Sequence, residues 1–205
     1  RDLVRSRGLG DVYKRQVLKE LHDGMRVLDM CTGSGCILLS LLHYSNDCEG
    51  LGVDLSAEAL EVAGRNVLKV LTPEKAEHAH FLQSDLFEKV EGKFEIIVSN
   101  PPYIASAEVE KLMPEVRDHE PRMALDGTED GLYFYRRIIE EAGKHLVSSG
   151  MLFFEIGYDQ GQAVSELMRT EGYCDVQVVQ DYAGLDRVVF GTYVTVQPAP
   201  FAKSR

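Results

Sequence analysis

The residues best suited to chemistry are Asn100-Pro101-Pro102-Tyr103, which close the apolar run Phe94–Ser99. Each proline fixes φ at about −65° and lacks an N–H, and the residue before a proline is driven out of the helical region. Backbone carbonyls around such a turn have no helix or ladder partner and are free to face a pocket. Asn100 adds one acceptor and two donors in a planar group, and Tyr103 adds an aromatic face. Such a set can hold a flat, neutral amide or amino group, with acceptors taking its N–H bonds and a ring covering one side. A rigid loop with a buried asparagine would use the same four residues, so the neighbouring sequence has to separate the two.

A second group lies earlier. Asp29 precedes Cys31-Thr32-Gly33-Ser34-Gly35, a glycine-rich turn between an apolar run and an apolar helix. The turn lacks the third glycine of the dinucleotide fingerprint and the Gly-Lys-Ser/Thr of a phosphate loop. Its glycines still let the backbone come close to a ligand at a helix N-terminus. Asp54 ends the next apolar run, where a carboxylate can accept from both hydroxyls of a ribose or simply cap the helix that follows. Asp85-Leu86 ends a third run. There an apolar wall could take an adenine ring, with Asp85 accepting from its exocyclic amine, or Asp85 could be a solvated loop carboxylate. These motifs contain no Ser-His-Asp or Cys-His set. Cys31, Cys36, Cys48 and Cys174 form no C-x-x-C pair, so no metal site is expected and a reducing compartment suits the chain.

These residues need a scaffold that brings them to one edge. Residues 17–21 read as the tail of a helix stopped at Asp23-Gly24. Strands are expected at Arg26–Met30, 51–54, 80–84, Phe94–Ser99 and 151–156. Helices are expected at Cys36–Tyr44, 57–71 (capped by Ser56), 132–147 (broken by Ser149-Gly150) and 162–171. The β-rich stretches 174–180 and 188–194 would pair antiparallel. This alternation predicts an α/β fold, an open and mostly parallel sheet with helices on both faces. Its crossovers should be right-handed, and ligands should sit beyond the C-terminal ends of strands where the order switches. Every residue singled out above lies at such an end.

The 205 residues suit one domain, and 44% hydrophobic with 27% charged residues places them among globular chains rather than disordered ones. No apolar run approaches the roughly 18 to 20 residues of a membrane span, and no secretory signal opens the chain, so a cytoplasmic location is expected. The net charge of −11, with no basic stripe, argues against tight, phosphate-driven nucleic-acid binding. Arg1–Gln16 differs from the rest: it is net basic, has no hydrophobic period, and over residues 11–16 resembles the conceptual translation of a transposon-type sequencing adapter. Residues 1–16 are therefore expected to be a non-native leader, 17–195 a catalytic domain, and 196–205, with Gln197-Pro198-Ala199-Pro200, a disordered tail.

Together the glycine turn, Asp54, Asp85-Leu86 and the Asn-Pro-Pro-Tyr tetrapeptide resemble the seven-stranded, Rossmann-like class I methyltransferases, which convert S-adenosylmethionine to S-adenosylhomocysteine. The tetrapeptide resembles the motif of enzymes that methylate a planar nitrogen. Two further stretches narrow this: Glu120-Pro121-Arg122-Met123-Ala124-Leu125-Asp126-Gly127 with Asp130-Gly131-Leu132, and Phe154-Glu155-Ile156-Gly157-Tyr158-Asp159-Gln160-Gly161. Both resemble the HemK-like release factor glutamine methyltransferases, and the likeness runs over residues 17–194 with its motifs in order. It implies that Cys31, Thr32, Gly33, Ser34 and Gly35 face the methionine moiety, with Asp29 orienting the loop. Asp54 would face the ribose and Asp85-Leu86 the adenine. The Asn100 side chain, which also borders the cofactor, and the Pro101 carbonyl would accept the N–H bonds of a glutamine amide. Pro102 and Tyr103 would complete the substrate site, with Tyr103 against the amide plane. The implied partner is a peptide chain release factor carrying a Gly-Gly-Gln loop, and the implied state is a monomer. Cys31 stands where the family more often has glycine. The family's N-terminal helical domain has no counterpart in these residues, so the natural protein is expected to begin upstream of Val17.

Three other readings share parts of this pattern. A glutamine methyltransferase of a large-subunit ribosomal protein shares the tetrapeptide. An adenine-N6 DNA methyltransferase or an RNA amino-group methyltransferase would need a target-recognition region and positive surface, which the short insertion and acidic balance do not offer. A non-catalytic cofactor-binding module would have no use for an intact Asn100 and Tyr103. Glu155 reads either as support for the cofactor site or as a buried structural carboxylate. Arg122 reads either as a substrate contact or as a lock on the segment after the tetrapeptide.

Overall fold

In the computed structural model, residues 12–117 and 121–194 are described. Seven short apolar runs form one sheet: β1 (Arg26–Met30), β2 (Glu49–Asp54), β3 (Ala79–Gln83), β4 (Phe94–Ser99), β5 (Leu146–Glu155), β6 (Tyr173–Gln180) and β7 (Asp186–Tyr193). Their order is β3-β2-β1-β4-β5-β7-β6. The first five strands are parallel, and β7 runs antiparallel to both β5 and β6. The expected sheet, including its antiparallel end, is the one observed.

Strands buried on both faces need apolar residues in both alternating sets, and the core is accordingly two clusters. On one face Val27, Ile96, Val98 and Phe153 meet α1 (residues 12–20), α2 (Cys36–Tyr44) and α3 (Ala57–Val70). On the other, Leu28, Met30, Ile97 and Phe154 meet α8 (Tyr133–Ala142) and α9 (Gly161–Thr170). Four one-turn helices fill connections: α4 (Pro73–Ala76), α5 (Ser106–Val109), α6 (Pro114–Arg117) and α7 (Arg122–Leu125). Ser56 caps α3 as expected, its Oγ accepting from the Ala59 N–H at 3.2 Å. No helix among the described residues is long and apolar enough to cross a membrane.

Two boundaries differ from the sequence reading by more than two residues. The helix expected over 132–147 stops at Ala142, and Leu146 already belongs to β5, pairing with Phe94 of β4. At Gly143 any Cβ would lie 2.6 Å from the Tyr193 ring, and the irregularity between Phe94 and Ile96 absorbs the extra residues of β5, with Ser149 at φ 65°. Leu146 is buried in either continuation, so periodicity alone extends the helix too far. The second difference is α1, which starts by residue 12 and so crosses the boundary expected at 16/17. Tyr13 is fully buried with Val17 in one cluster, and its hydroxyl accepts from the Ser99 N–H at 2.9 Å. Tyr13 and Val17 thus form an i, i+4 apolar pair that spans the expected boundary. Residues 1–11 and the tail expected at 196–205 lie outside the described residues.

Candidate active site

The strand order reverses at β1, with β2 on one side and β4 on the other. Crossovers leaving those strands go opposite ways, and a crevice opens beyond their C-terminal ends. It is a cavity of 580 Å³, within the roughly 300–1,000 Å³ of small-molecule sites. Turn residues Cys31 to Ser34 after β1, Asp54 at the end of β2, Asp85-Leu86 after β3, and Asn100 and Pro102 after β4 all line it. Residues far apart in the sequence therefore share one wall because parallel strands end on one edge.

The glycine turn is held from behind. Cys31 has φ 61°, Gly33 55° and Gly35 76°, a left-handed run that costs an L-residue about 1–2 kcal/mol. That is the physical reason a glycine suits position 31. Asp29 does not line the cavity. Its Oδ2 accepts from Thr32 Oγ1 at 2.7 Å and from the Leu38 N–H at 3.2 Å, tying the turn to the first turn of α2. Burial lifts the Asp29 carboxyl to about 7, against the lowering effect of those two hydrogen bonds. Gly35 also lies outside the wall. A Cβ there would meet Ala63 at 3.2 Å, so its smallness serves the approach of α2 to α3.

Asp54 shapes the turn as well as lining the cavity. Its Oδ2 accepts from the Gly33 N–H at 2.8 Å and its Oδ1 from the Ser56 N–H at 2.9 Å. One carboxylate thus joins the turn after β1 to the start of α3 and still keeps unused lone pairs. Asp85 is paired with Arg137 at 3.0 Å, and Arg137 lies 5.8 Å from the centre of the Tyr133 ring. Leu86 is buried and has φ 46°. Two of the non-glycine residues in the left-handed region therefore stand in the cavity wall, as strained residues do at functional sites.

Asn100 is exposed in the wall, and its amide makes no hydrogen bond among the described residues. The other tetrapeptide residues are placed differently. Pro101 is buried and Tyr103 packs half-buried on the core; neither lines the cavity as Pro102 does. Burial raises the Tyr103 phenol, and the neighbouring Glu155 adds to this. Glu155 lines the cavity, its pKa also raised by burial and opposed by Arg187. Arg122 bonds Glu110 at 2.6 Å and Asp126 at 3.1 Å, which ties the segment after the tetrapeptide to the end of α5.

Sequence reasoning did not place Pro121, Met123 and Phe134, which also line the cavity. The stretch around Met123 was noticed for its likeness, but nothing in its pattern says that it folds over the strand ends. Lys14, another lining residue, fell in the stretch read as leader. The charged lining groups are Asp54, Asp85, Glu155 and Lys14, so the wall is net acidic and favours a cationic ligand. Burial pushes the Cys31 thiol up, which keeps it protonated and a poor nucleophile. Among the described residues no group of His, Cys, Asp and Glu could hold a metal ion.

A profile of the methyltransferase small domain matches residues 7–116. The chain belongs to the methyltransferase small-domain family. It is 43% identical over 179 residues to a release factor glutamine methyltransferase of Thermodesulfovibrio yellowstonii, covering 87% of this chain and 62% of that one. It is 45% identical over 164 residues to the protein of that name from Agrobacterium fabrum, covering 80% of this chain and 56% of that one. The chain thus spans about three-fifths of the length of these curated relatives. Among solved structures, the protein-(glutamine-N5) methyltransferase (release factor-specific) of Alicyclobacillus acidocaldarius is 26% identical, with a TM-score of 0.51 over 93% of this chain and 92% of that one. The chain has its cavity where a doubly wound sheet places ligands, beyond the C-terminal ends of β1 and β4.

Proposed function

We propose that the chain transfers a methyl group from S-adenosylmethionine to the side-chain amide nitrogen of a glutamine, and that the glutamine is the one in the Gly-Gly-Gln loop of bacterial peptide chain release factors. The observation that carries this is the Asn100 amide, without a hydrogen-bond partner among the described residues and lining the same cavity as the glycine turn. The names of the relatives support the choice of substrate.

The residues present fit the cofactor. The net acidic wall suits a sulfonium cation, the Thr32-Gly33-Ser34 backbone suits its amino-acid end, Asp54 its ribose, and Leu86 with Asp85 its base. When bound, S-adenosylmethionine supplies an electrophilic methyl carbon on a positively charged sulfur. The protein's part is then positioning. An amide nitrogen is a weak nucleophile because its lone pair is delocalised into the carbonyl, so orientation has to supply much of the rate. Asn100 Oδ1, exposed in the cavity wall, would accept an amide N–H bond and orient the nitrogen, while Pro101, buried beside it, fixes the backbone that presents Asn100. Tyr103 backs the turn from the core side. No nucleophilic side chain takes part, in keeping with the protonated Cys31.

The test is transfer of radiolabelled methyl from S-adenosylmethionine to a purified release factor, with its Gly-Gly-Gln glutamine intact or changed to alanine. Label on the intact protein alone is the expected result. Label on both would move the target to another residue, and label on ribosomal protein or nucleic acid in its place would overturn the substrate.

A further inference from the structure

A turn made of two prolines cannot be anchored through its own amides, because neither residue has an N–H. Its position has to be set at its ends. The leading end is Ser99, held inside the sheet by pairing with β1 and β5 and by an Oγ bond to the Met30 carbonyl at 2.7 Å. The trailing end is the carbonyl of Tyr103. It accepts from Gln160 Nε2 at 2.9 Å.

Gln160 is the residue before α9, and its side chain does not cap that helix. It folds back toward the tetrapeptide. Nε2 donates to the Tyr103 carbonyl and, at 3.3 Å, to the Gly131 carbonyl. Oε1 accepts from the Gly157 N–H at 3.0 Å and lies 3.4 Å from the Tyr135 hydroxyl. That hydroxyl in turn bonds the Glu155 carbonyl at 3.0 Å. Two carbonyls on one side and the Gly157 N–H on the other leave one orientation of the amide group. The surrounding backbone is built for this contact. A Cβ at Gly131 would lie 2.3 Å from the Tyr103 carbonyl oxygen, and one at Gly127 would lie 2.8 Å from Tyr103 Cα. Gln160 itself does not line the cavity.

We infer that Gln160 is the positioning residue of the methyl-acceptor site: it clamps the trailing end of Asn100-Pro101-Pro102-Tyr103 to the end of β5 and to the Gly127–Gly131 segment, and so fixes where Asn100 presents its amide. The inference rests on the reading of that turn as the acceptor site. It separates the roles of the two signature stretches, one supplying the clamp and the other the glycine floor beneath it. A displacement of about 1 Å at a reacting group can cost on the order of a hundredfold in rate, so an error at Tyr103 should appear in turnover rather than in cofactor affinity.

The experiment compares Gln160→Glu, which turns an oxygen toward two carbonyls, and Gln160→Met, which keeps the shape without the bonds. Hydrogen exchange is followed by mass spectrometry with S-adenosylhomocysteine bound. Amides of Ile104, Ser106 and Gly127, which bond Leu125, Thr128 and Ile104 respectively, should exchange at least about tenfold faster in both variants. Amides of β1 and α2 should be unchanged, because local openings have their own free energies. On a Gly-Gly-Gln peptide, kcat should fall at least about tenfold, with the cofactor Kd within about twofold of the parent. Faster exchange across the whole sheet, unchanged exchange at 104–127, or a local loosening with kcat intact would each overturn the inference. A parent chain that methylates no Gly-Gly-Gln substrate would remove the proposed activity instead, and the exchange arm would still decide the clamp.

Discussion

The Gly33 amide donates to the Asp54 carboxylate across 2.8 Å, which makes the turn after β1 and the end of β2 one unit. Gly33 reaches this geometry with φ 55°, so the turn is bent around the carboxylate. Asp54→Ala removes both the charge offered to a ribose and the anchor of the turn. Hydrogen bonds to a charged group contribute roughly 1.5–3 kcal/mol each. S-adenosylhomocysteine binding measured by calorimetry should therefore weaken by roughly ten- to a hundredfold. Asp54→Asn, which keeps one acceptor for Gly33, should fall between the two. An unchanged dissociation constant in the alanine variant would refute the ribose role.

Asn100 lines the same cavity, and its side chain makes no hydrogen bond among the described residues. Its loss should leave the melting temperature where it is, since exposed side chains without partners change stability little. Asn100→Ala should lower methyl transfer by on the order of a hundredfold or more and leave cofactor affinity within a factor of about two. Steady-state kinetics and calorimetry on one preparation decide it. Retained turnover with collapsed cofactor affinity would assign Asn100 to the cofactor.

What could be read in the sequence was the set of strand ends, because turn chemistry and apolar runs are local signals. Arg26–Met30 and Phe94–Ser99 match the observed strands residue for residue, and of the residues singled out after them Cys31 to Ser34, Asn100 and Pro102 meet at one cavity. What could not be read is whatever depends on a partner distant in the chain. The ion pair of Asp85 with Arg137 spans 52 residues and the Tyr103–Gln160 bond 57, and neither spacing has a pattern. The cavity wall at Met123 and Phe134 was missed for the same reason. So was Tyr13, whose hydroxyl reaches 86 residues along the chain to Ser99. Asp29 reads as the residue that orients the glycine turn, and its carboxylate bonds Thr32 and Leu38 from behind the cavity wall.

Gly131 offers a stability test with a built-in control. Gly131 and Gly172 both have φ in the left-handed region, 71° and 87°, but a Cβ at Gly172 meets nothing within 4 Å while one at Gly131 would strike the Tyr103 carbonyl. Alanine at either position carries the conformational cost of about 1–2 kcal/mol. Gly131→Ala adds the clash with backbone that cannot rotate away. In urea unfolding, Gly131→Ala should be the less stable of the two by at least about 1 kcal/mol, and it alone should lose methyl transfer. Equal losses in the two variants would mean that the tetrapeptide yields freely and is not held against the Gly127–Gly131 segment.

Asp29 makes stability depend on pH in a definite direction. Burial raises its carboxyl from the ordinary carboxylate range to about 7, the bonds from Thr32 and Leu38 oppose the rise, and Asp54 adds to it. In the unfolded chain the same group ionises at about 4. Between those values the folded state binds a proton that the unfolded state has lost, so stability falls as pH rises. The contribution is whole below about pH 4, shrinks through the interval, and is flat above about pH 7. Asp29→Asn removes the titration and leaves an acceptor for Thr32 Oγ1 and the Leu38 N–H. The stability of the variant relative to the parent should therefore improve from pH 5 to pH 8 by on the order of 2 kcal/mol, since one pKa unit corresponds to about 1.4 kcal/mol. Urea unfolding of both proteins at pH 5, 6, 7 and 8 measures this, and taking the difference cancels the titration of Glu155 and the other groups they share. A difference that does not change with pH would show that Asp29 is ionised in the folded protein throughout. The turn after β1 would then be held by a charged anchor rather than a neutral one.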